Sequence, residues 1–146
     1  MKTNINGHDS PVKVNPDWFT GKVWMKNVSA GIESVDHIYH VHFVGGARTK
    51  LHRHDGPQTL IVTSGMGSLV LFHDSNEMTG RLEIKPFKTI SLVPGDAVFI
   101  PAGVLHTHGS TRGDEEFVHI AINRTSDGGY NTDWYESDLQ SYASKI

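Results

Sequence analysis

Gly46-Ala-Arg-Thr-Lys-Leu-His52-Arg-His54-Asp-Gly-Pro-Gln58-Thr-Leu-Ile-Val-Thr-Ser-Gly65 decides the reading of this chain. His52 and His54 are one residue apart. Side chains on a strand alternate between faces, so both imidazoles point the same way. The amide oxygen of Gln58 arrives shortly afterwards. Such a set on one wall of a small barrel is what a divalent metal needs, and His106 would close it. The expected ligands are therefore His52, His54, Gln58 and His106. Nitrogen and oxygen donors without thiolate suit manganese, iron, nickel, cobalt or zinc. All four donors are neutral, so a dication would keep its full charge and act as a stronger Lewis acid than one held by three histidines and a glutamate. The competing reading is a structural histidine cluster, or a barrel that kept its motif and lost its metal.

Outward from this stretch the pattern is β. Residues 19–25 read as a short strand. His37-Ile-Tyr-His-Val-His-Phe-Val44 alternates, and Gly45-Gly46 ends it. Thr59–Thr63 and Ser68–Phe72, joined by a glycine turn, read as a hairpin. His73–Lys88 is polar and reads as a hairpin extension with a loop tip. Thr89–Val93, Ala97–Ile100, His106–Gly109 and Phe117–Ile122 are further strands, separated by Gly/Pro turns. Trp134, Tyr135, Leu139 and Tyr142 recur at roughly helical spacing, so a short C-terminal helix is expected, capped by Thr132 or Asp133. Short strands with frequent turns and no βαβ rhythm give an all-β barrel or sandwich. The expected organisation is an N-terminal arm over 1–17, a barrel over 18–130 and a helix or tail over 131–146.

Composition narrows the function. The chain has 146 residues, enough for one domain, and a formal net charge of -3. That balance, with no basic block, predicts neither nucleic-acid nor membrane affinity. Cysteine is absent, which removes disulfides, thiolate nucleophiles and Cys-ligated metals. Met1 to His8 lacks the apolar core of a signal peptide, so a cytoplasmic location is expected.

Two motifs then carry a resemblance. Gly46, His52-x-His54, position 58 and Gly65 match the first motif of the cupin superfamily in spacing. Gly95, Pro101-x-Gly103 and His106 match the second. Two positions depart from the pattern: Gln58 stands for the usual glutamate ligand, and Ser110 for the usual closing asparagine. Asp17-Trp-Phe-Thr-Gly21, Gly46–Thr49, residues 52–63, His106-x-His108-Gly109 and His119-x-Ala-Ile122 are similar to one subgroup of small single-domain cupins. That subgroup contains bacterial manganese-dependent hydroxynitrile lyases and the cupin relatives of carboxymuconolactone decarboxylases. The resemblance implies a jelly-roll cupin barrel that is a homodimer or homotetramer. It also implies a metal held by three histidines and a glutamine, with manganese or iron first. The position matching His119 acts as acid/base in the lyases.

The remaining candidates follow from strand faces. His108 lies two residues beyond His106, on the same face of a regular strand. His119 alternates with Phe117 and Ala121. Either could move a proton near a dication, because the cation disfavours the protonated imidazole. Either could instead orient a ligand through a hydrogen bond. Tyr39, Val41 and Phe43 share a face and are expected to line a substrate pocket with Asn123. Tyr39 and Asn123 depart from the small apolar residue and the glutamine of the lyase subgroup. His40 and His42 are expected to face outward. The first function expected is metal-dependent lyase chemistry on a small oxygenated molecule, by Lewis-acid activation and histidine acid/base catalysis. A non-haem dioxygenase and a non-catalytic metal- or ligand-binding module remain open.

Overall fold

The computed structural model describes residues 4–5, 14–29, 36–78, 80–125 and 129–146. Most of the expected arm lies outside these residues. What is described of it ends in a 3-10 turn, Pro16–Trp18, where the Asn15 side chain accepts from the Asp17 amide.

Among the described residues thirteen strands follow: β1 Phe19–Thr20, β2 Val23–Asn27, β3 Asp36–Phe43, β4 Arg48–Thr49, β5 Leu51–His54, β6 Gln58–Ser64, β7 Gly67–Met78, β8 Arg81–Leu92, β9 Ala97–Ile100, β10 Leu105–Ser110, β11 Phe117–Arg124, β12 Thr132–Ser137 and β13 Tyr142–Lys145. They build two antiparallel sheets. The smaller has the order β2-β3-β11-β6-β9, and the larger β1-β4-β10-β5-β12-β13-β8-β7. A further pairing of β10 with β7 closes part of the larger sheet into a six-stranded barrel. This is the all-β jelly roll expected from the motifs.

Alternation decides what is buried. Phe43, Leu60, Val62, Leu69, Leu92, Ile100 and Phe117 point inward and form the main core. Leu51, Phe72, Leu82, Leu105 and Tyr135 form a second core under β12 and β13. Polar residues take the opposite positions on most strands. The exceptions gather on β5, β6, β10 and β11, where His52, His54, Gln58, His106, His108, His119 and Asn123 are buried.

Three expectations need correction. Residues 19–25 are two strands in different sheets, split at Gly21 (φ 76°), where a Cβ would meet that of Ala47 at 2.9 Å. Residues 59–72 are not a hairpin. β6 pairs with β11 and β9, whereas β7 pairs with β10 and β8. The Ser64–Gly67 corner carries the chain from one sheet to the other, so each strand buries its apolar face. The 73–88 segment is the hairpin extension expected: β7 and β8 pair from Gly67↔Leu92 out to Met78↔Arg81, with register shifts between Leu71 and Phe72 and between Ser75 and Met78. The C-terminal helix is absent and two strands stand in its place. The free edge of β5 offers backbone partners, and β12 takes them from Thr132↔His54 to Tyr135↔Leu51. In an extended chain the adjacent Trp134 and Tyr135 face opposite ways, one onto His52 and the other into the second core. Leu139, at φ 57°, turns the chain into β13.

Candidate metal centre

β5 and β10 run antiparallel with His52 directly opposite His106. Their rings lie 4.2 Å apart, centroid to centroid, and His54 sits 5.0 Å from His52 and 5.3 Å from His106. Gln58 enters from the first residue of β6. All four side chains are buried. The structure therefore brings the expected ligand set to one place.

The hydrogen bonds around the set leave lone pairs aimed inward. His52 Nδ1 donates to the Lys50 carbonyl, and His106 Nδ1 to the Val104 carbonyl, each at 2.8 Å. His54 Nδ1 is hydrogen-bonded to Thr132 Oγ1 at 2.8 Å. The two carbonyl bonds fix the tautomers of His52 and His106 and free Nε2 as an acceptor, the usual arrangement of a metal-binding imidazole, and His54 shares it when the Thr132 hydroxyl accepts. Gln58 Nε2 donates to Asn123 Oδ1 at 2.7 Å, which leaves Oε1 free. His54 Nε2, His106 Nε2 and Gln58 Oε1 are buried without any hydrogen-bond partner. A native interior rarely leaves three such acceptors together. A cation satisfies all three at once, so the residues fit the metal that the motif implies.

Two geometric readings of the set differ. Among the described residues, His52, His106 and His108 each offer a nitrogen within 4.8 Å of the others, and the three could bind a metal. This group does not include His54. His54 and His108 differ in their hydrogen bonding: His54 Nε2 is buried without a partner, whereas His108 Nδ1 lies 3.1 Å from His119 Nε2.

Electrostatics agree with neutral imidazoles. Burial pushes His54 down to about 3 and His106 to about 4, from an ordinary 6.5. Burial also pushes His52 and His108 well down, helped by neighbouring histidines. His119, fully buried, falls to about 3 for the same first reason. Its Nδ1 has no partner.

A cavity of about 420 Å³ opens onto this set. Tyr39, Val41, Phe43 and Asn123 line it, as do His108 and His119. His40 and His42 lie on the other side of β3. His42 is paired with Glu116 and stacked on Trp24, and His40 reaches the Ile5 carbonyl. Ser110 serves the backbone, accepting from the Gly46 amide at 3.1 Å. Arg48 ties β4 to β7 and β10 through Ser68 and Thr107.

Three wall residues went unread in the sequence. Trp134 stacks on His52 at 4.3 Å and on Trp18 at 5.0 Å. Thr132 holds His54. Both belong to the segment expected to be helical, so no local signal could place them. Tyr130 lies against His54 at 4.8 Å, and its buried hydroxyl has no partner. Burial raises its pKa, which keeps the hydroxyl protonated. A Cβ at Gly56 would meet the Arg124 carbonyl at 2.5 Å and the Tyr130 ring at 3.0 Å, so the Asp55-Gly56 turn makes room for that ring. Asn131 clamps the turn through both Asp55 carboxylate oxygens.

No family model matches the chain. It is 33% identical over 137 residues to the (R)-mandelonitrile lyase of Granulicella tundricola, covering 93% of each chain. A cupin-like protein of Thermotoga maritima superposes with a TM-score of 0.66 at 35% identity, over 86% of this chain and 85% of that one. Bacillus subtilis oxalate decarboxylase, a protein with Mn(II) centres, superposes at 0.58 and 20% identity. That match covers 84% of this chain and 29% of the decarboxylase, and shows a shared fold alone. With the fold, both motifs and identity along nearly its whole length in agreement, the chain belongs to the cupin superfamily, among the small single-domain cupins that include the mandelonitrile lyase.

Proposed function

We propose that this protein is a metal-dependent lyase that splits a small cyanohydrin into an aldehyde and hydrogen cyanide. One observation carries the reading. Three unpartnered acceptors, on His54, His106 and Gln58, converge beside a buried His108–His119 pair in a cavity with aromatic walls. The relative named (R)-mandelonitrile lyase supplies the reaction class.

His52, His54, His106 and Gln58 would hold the cation, manganese or iron first, with nickel, cobalt or zinc compatible with the donors. When bound, it supplies Lewis-acid stabilisation of negative charge on the substrate oxygen. The chain's own residues do the rest. His119 takes the hydroxyl proton as the C–CN bond breaks and the C–O bond becomes a carbonyl. It returns that proton to the departing cyanide, giving hydrogen cyanide. The unpartnered Nδ1 is the atom available for this transfer. His108 holds the ring through the other nitrogen, and with His119 Nε2 donating to His108 Nδ1 the His119 Nδ1 carries the basic lone pair. Neutral imidazole is the resting form required of a base, and burial enforces it. Phe43, Val41 and Tyr39 shape the wall opposite the ligands, and with Trp18 and Trp134 they favour an aryl or alkyl group while excluding water.

A homodimer or homotetramer belongs to the same reading. It is supported by the outer face of the smaller sheet, where Phe99 is 65% exposed beside the half-buried Ile38, Ile61, Ile120 and Ile122. Racemic mandelonitrile tests the activity. A manganese-loaded sample should release benzaldehyde above the no-enzyme rate, in the absence of oxygen, and chelator should abolish the release. Equal release with and without protein would end the cyanohydrin reading.

A further inference from the structure

We infer that Asn123 decides which end of the Gln58 amide faces the ligand cluster, and so is a positioning residue for the cation site. The inference rests on the metal-centre reading above and deepens it. An amide side chain has two ends of nearly the same shape and opposite chemistry. Only the oxygen can ligate a cation; the NH2 end is a pure donor. Gln58 is 5% exposed, so water does not choose between the two ends. Its own neighbours favour the wrong one. Gln58 and His54 border the same cavity, and His54 Nε2 is a buried nitrogen without a hydrogen-bond partner. An amide turned NH2-inward would satisfy that nitrogen and block the site.

Asn123 opposes this. β6 and β11 are in register with Gln58 directly across from Asn123, and such cross-strand neighbours touch. Asn123 Oδ1 accepts from Gln58 Nε2 at 2.7 Å, which commits the NH2 end outward and leaves Oε1 toward the histidines. Asn123 borders the cavity as expected. Its oxygen, however, is already engaged by Gln58, so its part in substrate recognition is secondary to this bond.

Manganese(II) titration by calorimetry, on chelator-treated protein, tests the inference without turnover. The proteins compared are wild type, Asn123→Leu, Asn123→Asp, Gln58→Glu and Gln58→Glu combined with Asn123→Leu. Asn123→Leu should weaken binding by roughly 10- to 100-fold, the usual cost of removing a group that orients a ligand. Asn123→Asp, an acceptor at both oxygens, should bind as tightly as wild type or tighter. In the Gln58→Glu background the leucine should change affinity by no more than about twofold, within the additivity error of uncoupled sites. A carboxylate presents oxygen whichever way it turns. If Asn123→Leu does not fold, Asn123→Ser replaces it, because its hydroxyl is too short to hold the amide. Wild-type affinity in Asn123→Leu would overturn the inference. So would an equal loss in the Gln58→Glu background, which would mark a packing role. A wild-type protein that binds no manganese would remove the metal centre itself, an outcome distinct from both.

Discussion

Acidifying the metal-free protein should unfold it well before its carboxylates titrate. His52, His54, His106, His108 and His119 are all buried and all have pKa values below the ordinary 6.5. The unfolded chain binds protons at these positions as the pH drops through 6.5; the folded chain does not until about 4 for His106 and about 3 for His54 and His119. The folded pKa values are depressed, so stability is intact above 6.5 and falls as pH descends toward the folded values. Each such imidazole contributes a slope of about 1.4 kcal/mol per pH unit once its unfolded counterpart is mostly protonated. The cluster together approaches roughly 7 kcal/mol per unit below about pH 5.5. A domain with about 10 kcal/mol of stability would exhaust it at about pH 5. Asp55, Asp114 and Asp138 have lowered pKa values and ordinary values of 3.8, so they add nothing in this window. The assay is denaturant unfolding followed by circular dichroism, in chelator, at half-unit steps from neutral to about pH 4.5. Saturating manganese should move the fall to lower pH, since a ligated nitrogen cannot take a proton. Stability that stays level between about pH 7 and pH 5 in chelator would refute the reasoning, because the buried imidazoles would then have to be charged in the folded state or absent from the interior.

Other perturbations bear on separate parts of the account. Tyr130→Phe removes a buried hydroxyl without a partner, so it should raise stability by about 1 kcal/mol. If that hydroxyl meets the substrate, the same change should raise KM for mandelonitrile; an unchanged KM would take Tyr130 out of the site. Gly65→Ala should cost more than about 3 kcal/mol. Gly65 sits at φ 74°, and a Cβ there would come within 2.0 Å of the Glu116 carbonyl oxygen. A denaturation midpoint close to wild type would mean that the corner between the sheets is not rigid. His119→Gln should abolish benzaldehyde release while leaving manganese affinity within about twofold of wild type, as expected for two uncoupled sites. Loss of both together would make His119 a support of the ligand set rather than the base.

The clustering of the histidines was legible because its logic is local. His52 and His54 share a face by alternation alone, and the second motif brings His106, which β10 sets directly across from His52. Tyr39, Val41 and Phe43 were readable for the same reason. Partner choice was not. Nothing within 59–72 says that β6 should leave β7 for β11 and β9; that depends on two sheets burying both faces at once. The C-terminal segment shows the same limit. Its apolar residues fit a helix by spacing, yet the open edge of β5 and the flat face of His52 draw it into a strand. Thr132 and Trp134 were unreadable as site residues until that strand was in place. Tyr130 depends on a turn held by Asp55 and Asn131, residues far apart in the chain.

Elemental analysis of the protein purified without added metal tests the central claim most directly. One first-row divalent ion per chain is predicted for the wild type. The double substitution His52→Ala and His106→Ala, prepared in parallel, should carry none. A wild-type chain that comes out metal-free and takes up no manganese, iron or zinc on dialysis would contradict the account at its base.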